Sequence, residues 1–158
     1  MTGLASTTTY RVRAYATNKA GTVYSDVFTF TTGQAIMPTL TIGLKDTTSV
    51  SFRLESELVN KGSSDVRSIG FCWSVTNTVP TISDSKKDCT SQLGSGVVTI
   101  ENLFNNSDLK PNTTYYFRAY ATNSEGTGYS ESVITVKTPY GNADWEFSIG
   151  GLPTQDWK

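Results

Sequence analysis

Short segments in which apolar and polar residues alternate run along most of the chain, and none has the 3.6-residue period of an amphipathic helix. Each segment is bounded by Gly, Pro, Asn, Asp or Ser, which are residues that favour turns. The segments predict strands at 40–44, 50–54, 69–75, 97–103, 115–122 and 129–136. Regular short strands separated by turns are typical of an antiparallel sandwich, so the pattern predicts an all-β fold.

The same alternation predicts which side chains form the core, because successive residues of a strand point to opposite faces. The apolar set of each strand should face inward and the polar set outward. The predicted core positions are Val50, Phe52, Leu54, Ile69, Phe71, Trp73, Val75, Tyr115, Phe117, Ala119 and Ala121.

An internal repeat is the strongest feature of the sequence. Leu4–Ser25 aligns with Leu109–Ser130 at an offset of 105, with 14 of 22 positions identical. That period is too long for a solenoid and is about the length of one immunoglobulin-like sandwich. The chain therefore reads as successive sandwiches joined end to end.

The repeat predicts three regions. Residues 35–139 form a complete sandwich, residues 1–34 form the last hairpin of a preceding one, and residues 140–158 form a tail or the first strand of a following one. A lone hairpin is marginal in water. Residues 1–33 are thus either a piece of a cut domain, or they are completed by a strand-complementing partner, which is another chain or the tail segment 145–149.

The stretch Leu-Lys-Pro-Asn-Thr-Thr-Tyr at 109–115, followed by alternating apolar residues up to an Asn-x-x-Gly turn at 123–126, closely resembles fibronectin type III domains. The resemblance implies an immunoglobulin-like sandwich with a tyrosine corner, in which the hydroxyl of Tyr115, and of Tyr10 in the first copy, turns back to upstream backbone. The first copy has Ser6 where the pattern has Pro.

A wider stretch, from 69 to the Arg-Ala-Tyr block, resembles the tandem modules of surface and secreted proteins of Bacteroidota. That resemblance implies an extracellular or cell-surface location in a bacterium. The segment 1–10 has neither the basic nor the apolar region of an export signal, so we expect any signal to lie outside this sequence.

Composition removes several classes of function. Lys plus Arg (13) nearly balances Asp plus Glu (14), so there is no summed positive field for a nucleic acid. No apolar run approaches the roughly 20 residues that span a bilayer, so we expect no membrane insertion. The chain has no His, which is the usual proton-transfer group and metal ligand near neutral pH. We therefore expect no enzyme activity, no metal and no cofactor.

The two cysteines, Cys72 and Cys89, are the next candidates for chemistry. Their separation of 17 is not a metal-ligand spacing, and no His is available to activate a thiolate. A disulfide between them would suit an oxidising location. The sequence leaves that disulfide and two free thiols both open.

Four carboxylates are read as solvated. Glu55 and Glu57 lie two apart on one strand, as a glycosidase pair might, but nothing nearby would raise the pKa of either. Asp84 and Asp88 lack the dense acidic spacing of a calcium loop. We interpret the first pair as a strand end and the second as a charged loop.

Tyr116, Arg118 and Tyr120 share the predicted outer face of one strand, and exposed aromatics with Arg are what sugar or protein recognition uses. The repeat favours another interpretation, since Arg13 and Tyr15 reproduce two of the three. A cross-strand ladder that stabilises the sheet would be needed in every copy.

These observations predict a non-catalytic extracellular spacer or interaction module, whose partners are neighbouring domains or other proteins. One alternative is an adhesin that binds glycans or a host surface through exposed aromatics. Another is an accessory domain of a surface glycosidase, in which any catalysis lies outside this sequence.

Overall fold

The computed structural model of the chain describes residues 3–48, 50–93, 99–139 and 146–149. It divides into two units, Met1–Ile36 (unit 1) and Met37–Lys158 (unit 2). The strands are β1 Thr9–Val12, β2 Tyr15–Asn18, β3 Gly21–Tyr24, β4 Phe28–Thr31, β5 Thr39–Leu40, β6 Gly43–Thr47, β7 Ser51–Asn60, β8 Ser68–Ser74, β9 Ser85–Asp88, β10 Thr99–Asn105, β11 Thr114–Thr122, β12 Thr127–Tyr129, β13 Ile134–Lys137 and β14 Glu146–Ile149.

Unit 2 consists of two antiparallel sheets. In the first, β7 lies between β10 and the interrupted strand formed by β5 and β6; in the second, the order is β14-β13-β11-β8-β9, with β12 also paired to β11. Three strand positions facing a sheet of four or more is the arrangement of immunoglobulin-like sandwiches. The predicted fold class, an all-β antiparallel sandwich, is confirmed.

Aromatic rings join the two sheets at the centre of the core. Phe52 of β7 stacks on Phe104 of β10 with centroids 5.3 Å apart, and both meet Phe117 of β11 edge-on, at 5.5 and 5.0 Å. All three side chains are buried. Burying each ring contributes about 1.5–3 kcal/mol, so these contacts are a main source of the stability of unit 2.

Two of the predicted core residues are exposed. Val50 is 58% exposed and Val75 is 46% exposed, because β7 begins at Ser51 and β8 ends at Ser74. The alternation continues past both strand ends in the sequence, but no facing sheet remains there to bury these side chains.

Two predicted boundaries also change. The strand expected at 129–136 is interrupted between β12 and β13, where the hydroxyl of Ser130 donates to the carbonyl of Ser132 at 2.9 Å. Strand β9 lies where the sequence predicts a charged loop. Its four residues are polar and exposed, so it has no alternation by which to predict it.

Glycine at two positions allows other backbone to come close in unit 2. A Cβ on Gly70 would lie 2.0 Å from the carbonyl oxygen of Lys87 in β9, and one on Gly128 would lie 1.8 Å from that of Pro38. Both distances are far below contact, so any larger residue would displace β9 or the start of unit 2.

The tail strand belongs to the sandwich of unit 2. β14 pairs antiparallel with β13, and Phe147 is 8% exposed, with its ring 5.8 Å from that of Phe52. The suggested pairing of the tail with the hairpin of residues 1–33 is therefore wrong. Phe147 packs on Phe52 and so extends the core that the two sheets of unit 2 enclose. Trp145 lies outside the described residues.

Unit 1 is one interrupted hairpin. β1 pairs with β4 and β2 pairs with β3, both antiparallel. The interruption at 13–14 faces that at 25–27, where the N–H of Ser25 donates to the carbonyl of Ala14 at 2.9 Å. The predicted hairpin is thus present, as four short strands rather than two.

Candidate functional site

A tyrosine corner begins β11. The hydroxyl of Tyr115 accepts a hydrogen bond from the N–H of Lys110 at 2.9 Å, and the Tyr115 side chain is buried. The hydroxyl of Thr138 closes the same loop, since it donates to the carbonyl of Lys110 at 2.6 Å and accepts from the N–H of Thr113 at 2.8 Å. These bonds fix the crossing between the two sheets of unit 2.

Unit 1 has the same corner, bond for bond. The hydroxyl of Tyr10 accepts from the N–H of Ala5 at 2.8 Å, and the hydroxyl of Thr32 donates to the carbonyl of Ala5 at 2.6 Å and accepts from the N–H of Thr8 at 2.9 Å. Ser6, which replaces proline, therefore leaves the geometry of the corner unchanged.

The turn inside each corner has one residue in the left-handed region. Thr7 has a φ of 52° and Asn112, its counterpart, has a φ of 47°. Asn tolerates this conformation, whereas for a β-branched residue such as Thr it is an outlier.

Arg118 is held by its own hairpin. Its guanidinium donates twice to the carbonyl of Ser130, from Nε at 2.9 Å and from Nη2 at 2.6 Å, and lies 4.8 Å from the centroid of the Tyr129 ring. In unit 1, Arg13 Nε donates to the carbonyl of Ser25 at 2.9 Å and its guanidinium lies 4.7 Å from the Tyr24 ring. The repeat thus preserves an arginine clasp between the two strands of the hairpin. The aromatic partner is the tyrosine of the second strand, not Tyr15 or Tyr120.

Tyr120 is not exposed, so the expectation of an open aromatic face there is wrong. It is 2% exposed, and its hydroxyl lies 3.5 Å from Oδ2 of Asp88 in β9. Burial is the main cause that raises the pKa of Tyr120. Tyr116 and Arg118 are half-buried. The three residues do share a strand face, but the face does not form an exposed aromatic ladder.

The segment between β8 and β9 helps to cover this face. The thiol of Cys72 lies 3.6 Å from the carbonyl of the buried Pro80, and the N–H of Ile82 donates to the hydroxyl of Tyr129 at 3.2 Å. Asp84 fixes the segment, since its Oδ2 accepts from the N–H of Thr81 at 2.9 Å. That bond is the first cause of the lowered pKa of Asp84, so this carboxylate is a turn-forming group.

Both cysteines are free and buried, so the disulfide alternative is wrong. Cys72 lies on the outer face of β8, between the core residues Phe71 and Trp73, whereas Cys89 belongs to the core cluster. Cys89 follows β9 and its N–H bonds to the carbonyl of Ile69. The two thiols therefore lie on opposite faces. Burial raises the pKa of each to about 11, which keeps them protonated and unreactive near neutral pH.

Glu55, on the outer face of β7, is part of an ion-pair network with Lys45, Glu101 and Arg53. Lys45 contacts Glu101 and lies 3.9 Å from Glu55, while Arg53 lies 3.2 Å from Glu101. The bond from Lys45 is the first cause of the lowered pKa of Glu101. Glu57 is exposed. Exposed pairs of this kind contribute little to stability.

The carboxylate of Asp88 links β8 to the segment that follows β9. Burial alone would raise the pKa of Asp88, but its carboxylate accepts from the N–H of Thr90 at 2.9 Å and from the hydroxyl of Ser68 at 2.7 Å. These bonds outweigh burial and hold the pKa below its ordinary value. Within the described ranges, no three His, Cys, Asp or Glu side chains cluster as a metal site requires.

An open groove of about 710 Å³ lies at one end of unit 2, between the end of β8 and the tyrosine corner. It combines the half-buried indole of Trp73 and the exposed Val75 with the charged side chains of Asp84, Asp108 and Lys110. Its volume is in the range of small-ligand sites. Sequence reasoning misses this groove because its residues come from three separate segments, which the patterns assign separately to the core, to a charged loop and to the tyrosine corner.

No family model matches the chain, and no curated protein matches it. Among solved structures it is similar to the FN1–FN3 domains of chicken CNTN1, with 20% identity and a TM-score of 0.47, over 87% of this chain and 44% of that one. The chain thus spans less than half the length of that structure. In the part of the chain that the structure describes, no helix has the length and apolarity needed to cross a membrane.

Proposed function

We propose that the chain is a non-catalytic spacer or interaction module from a tandem array of fibronectin type III-like sandwiches in a bacterial surface or secreted protein. The observation that carries the proposal is the repetition, at an offset of 105, of the corner bond of Tyr10 and Tyr115 and of the clasp of Arg13 and Arg118. Residues that could have recognised a ligand are used to hold each hairpin together. A part that recurs in every copy serves the scaffold rather than one ligand.

The groove at the end of unit 2 supports a second candidate function, which is glycan binding. An indole beside carboxylates and an ammonium group combines an apolar surface with hydrogen-bonding groups, as saccharide sites do. The adhesin hypothesis thereby moves from Tyr120, which is buried, to Trp73 and its neighbours. An accessory role beside a glycosidase is compatible with either function, since catalysis would lie in another domain.

Binding of the full chain to a glycan array and to immobilised polysaccharides tests these proposals. Val75→Lys places a charge in the groove, and Val79→Lys is its matched control, because the two valines are similarly exposed, at 46% and 52%, and Val79 does not line the groove. Binding that Val75→Lys abolishes and Val79→Lys retains would establish the glycan site and overturn the spacer proposal. The spacer proposal expects no saturable binding by any of the three proteins while circular dichroism shows them folded.

A further inference from the structure

Strand β10 forms one edge of the first sheet of unit 2. It pairs with β7 over residues 99–105 without a register shift, and among the described residues no strand pairs with its other side. At seven residues it is longer than β6 and β9, which form edges elsewhere in unit 2. A long edge is a template on which a strand of another chain can pair.

The features that protect the other edges are missing from β10. Strand β9 is short and contains Lys86 and Lys87, and β6 has a register shift between Leu44 and Asp46. Short length, lysines and bulges each hinder pairing at an edge. The sequence of β10, Thr-Ile-Glu-Asn-Leu-Phe-Asn, has neither Lys nor Pro, and its Leu103 is 44% exposed. Protection of this edge therefore has to come from side chains that bind its backbone.

The side-chain amide of Gln92 binds β10 in the way that a residue of a paired strand does. Its Nε2 donates to the carbonyl of Glu101 at 2.6 Å, and its Oε1 accepts from the N–H of the same residue at 2.8 Å. Two facing residues of an antiparallel ladder exchange the same pair of bonds. Gln92 ends a short 3-10 helix, Thr90–Gln92, which follows β9. A loop side chain thus stands where a neighbouring strand would lie.

Two further side chains bind the backbone of β10 on the same side. Every second residue of an antiparallel strand directs its N–H and carbonyl to the same side, so Leu103 and Asn105 share the side of Glu101. The carbonyl of Leu103 accepts from Nδ2 of Asn102 at 3.2 Å, and the N–H of Asn105 donates to Oδ2 of Asp108 at 3.0 Å. The side chains therefore occupy the edge along most of its length.

We propose that Gln92, Asn102 and Asp108, the edge caps, replace a neighbouring strand on β10 and thereby block a self-association surface. The partner that this surface fits is β10 of a second copy, paired antiparallel about a twofold axis. Such pairing brings the exposed Leu103 side chains of both copies onto one face, which gives the dimer an apolar contact. This inference goes beyond the proposed function, because it holds whether unit 2 is a spacer or binds glycans.

The variant Gln92→Ala removes two bonds from the edge and tests the proposal on the full chain. Gln92 is exposed and lies outside the core, so the variant should fold as the original chain does. Ser91→Ala, at the neighbouring exposed residue of the same 3-10 helix, is the matched control. Light scattering over a range of concentrations should find Gln92→Ala dimeric under conditions in which the original chain and Ser91→Ala are monomeric.

Amide hydrogen exchange identifies the surface that associates. The N–H of Leu103 points to the free side of β10 in the original chain, whereas in the dimer it bonds to the second copy. Its exchange should therefore be at least ~10-fold slower in Gln92→Ala than in the original chain. The amides of β11, which lies inside the second sheet, should exchange at an unchanged rate.

A double variant, Gln92→Ala with Leu103→Pro, separates pairing at β10 from association elsewhere. Proline has no N–H and is tolerated in an edge strand where that group faces away from the sheet. The double variant should therefore fold and return to a monomer. If circular dichroism shows it unfolded, the exchange of the Leu103 amide in Gln92→Ala decides the question alone.

Four results would overturn the proposal. They are a folded Gln92→Ala that stays monomeric at every concentration, association of Gln92→Ala without slower exchange at Leu103, a dimer that persists in the folded double variant, and an original chain that already dimerises with its Leu103 amide protected. A dimer that forms only on loss of the Gln92 amide and protects Leu103 supports the proposal.

Discussion

The hairpins of units 1 and 2 share most of their sequence and their local hydrogen bonds, yet differ in burial. The bonds of the corner tyrosines agree to within 0.1 Å, at 2.8 Å for Tyr10 and 2.9 Å for Tyr115. Tyr15 is 73% exposed while Tyr120 is 2% exposed. Local sequence therefore fixes the shape of the hairpin, and the strands that pack on it decide whether that shape contributes to a core.

The largest expected contrast comes from a charge in the inward position of the first strand. Phe117→Asp should unfold unit 2, because an unpaired carboxylate in the centre of the core costs more than the ~3–5 kcal/mol of removing the ring alone. Val12→Asp, the matching change in unit 1, should change the free energy of unfolding of unit 2 by less than ~0.5 kcal/mol, because it lies outside the core of unit 2. Urea denaturation followed by circular dichroism measures both, and equal effects would contradict the comparison.

Thiol labelling separates the two units, because both cysteines lie in unit 2. Burial raises the pKa of Cys72 and Cys89 from 9.0 to about 11, so the thiolate fraction at pH 8 is about 100-fold lower than in the unfolded chain. Labelling at pH 8 should be at least ~100-fold slower in the folded chain than in denaturant. The rate should rise with pH, since the reactive thiolate forms as pH approaches the folded pKa. Rapid labelling of the folded chain would show that these thiols are accessible.

The corner hydroxyls should differ in their contribution to stability. Tyr115→Phe leaves the N–H of Lys110 without its acceptor in a partly buried loop, which should cost unit 2 about 1–2 kcal/mol. Tyr10→Phe removes a hydrogen bond between exposed groups. It should therefore lower the free energy of unfolding of the chain by less than ~0.5 kcal/mol. Calorimetry on the two variants measures the difference, and a larger loss for Tyr10→Phe would reverse the interpretation.

The smallest expected effect is the pH dependence that Asp88 gives to the stability of unit 2. Hydrogen bonds hold its pKa below the unfolded value, so its contribution is complete above the unfolded pKa and is lost as pH falls through the folded pKa. Asp88→Asn should destabilise unit 2 near neutral pH, and the difference from the original chain should narrow in acid. A difference that is constant from pH 7 to pH 3 would contradict this assignment.

Sequence alone was enough for the fold class and the central strands, because there the alternation coincides with burial at Phe52, Phe71 and Phe117. The sequence-based prediction failed where the alternation of apolar and polar residues does not coincide with burial. Strand β9 is paired but wholly exposed, and Val75 continues an alternation beyond the end of its sheet. Strand β14 joined unit 2 because Phe147 reaches the core, which depends on packing between segments far apart in the chain.

The candidate site was harder to predict than the fold. Alternation correctly put Tyr116, Arg118 and Tyr120 on one face, but it carries no information about the segment that folds over that face. The clasp of Arg118 depends on the cross-strand position of Tyr129, which requires the register of the hairpin. The opposite orientation of the two cysteines likewise follows from the pairing of β8 with β9, which the sequence pattern did not indicate.

The left-handed turn residues offer a route to engineering. Threonine at position 7 adopts a conformation that costs a β-branched residue about 1–2 kcal/mol, and the other copy has asparagine in the same place. The second copy therefore has the residue that tolerates this conformation better. A residue found in one copy is thus a candidate substitution at the matching position of the other. Thr7→Asn is the first such exchange by which to stabilise the module.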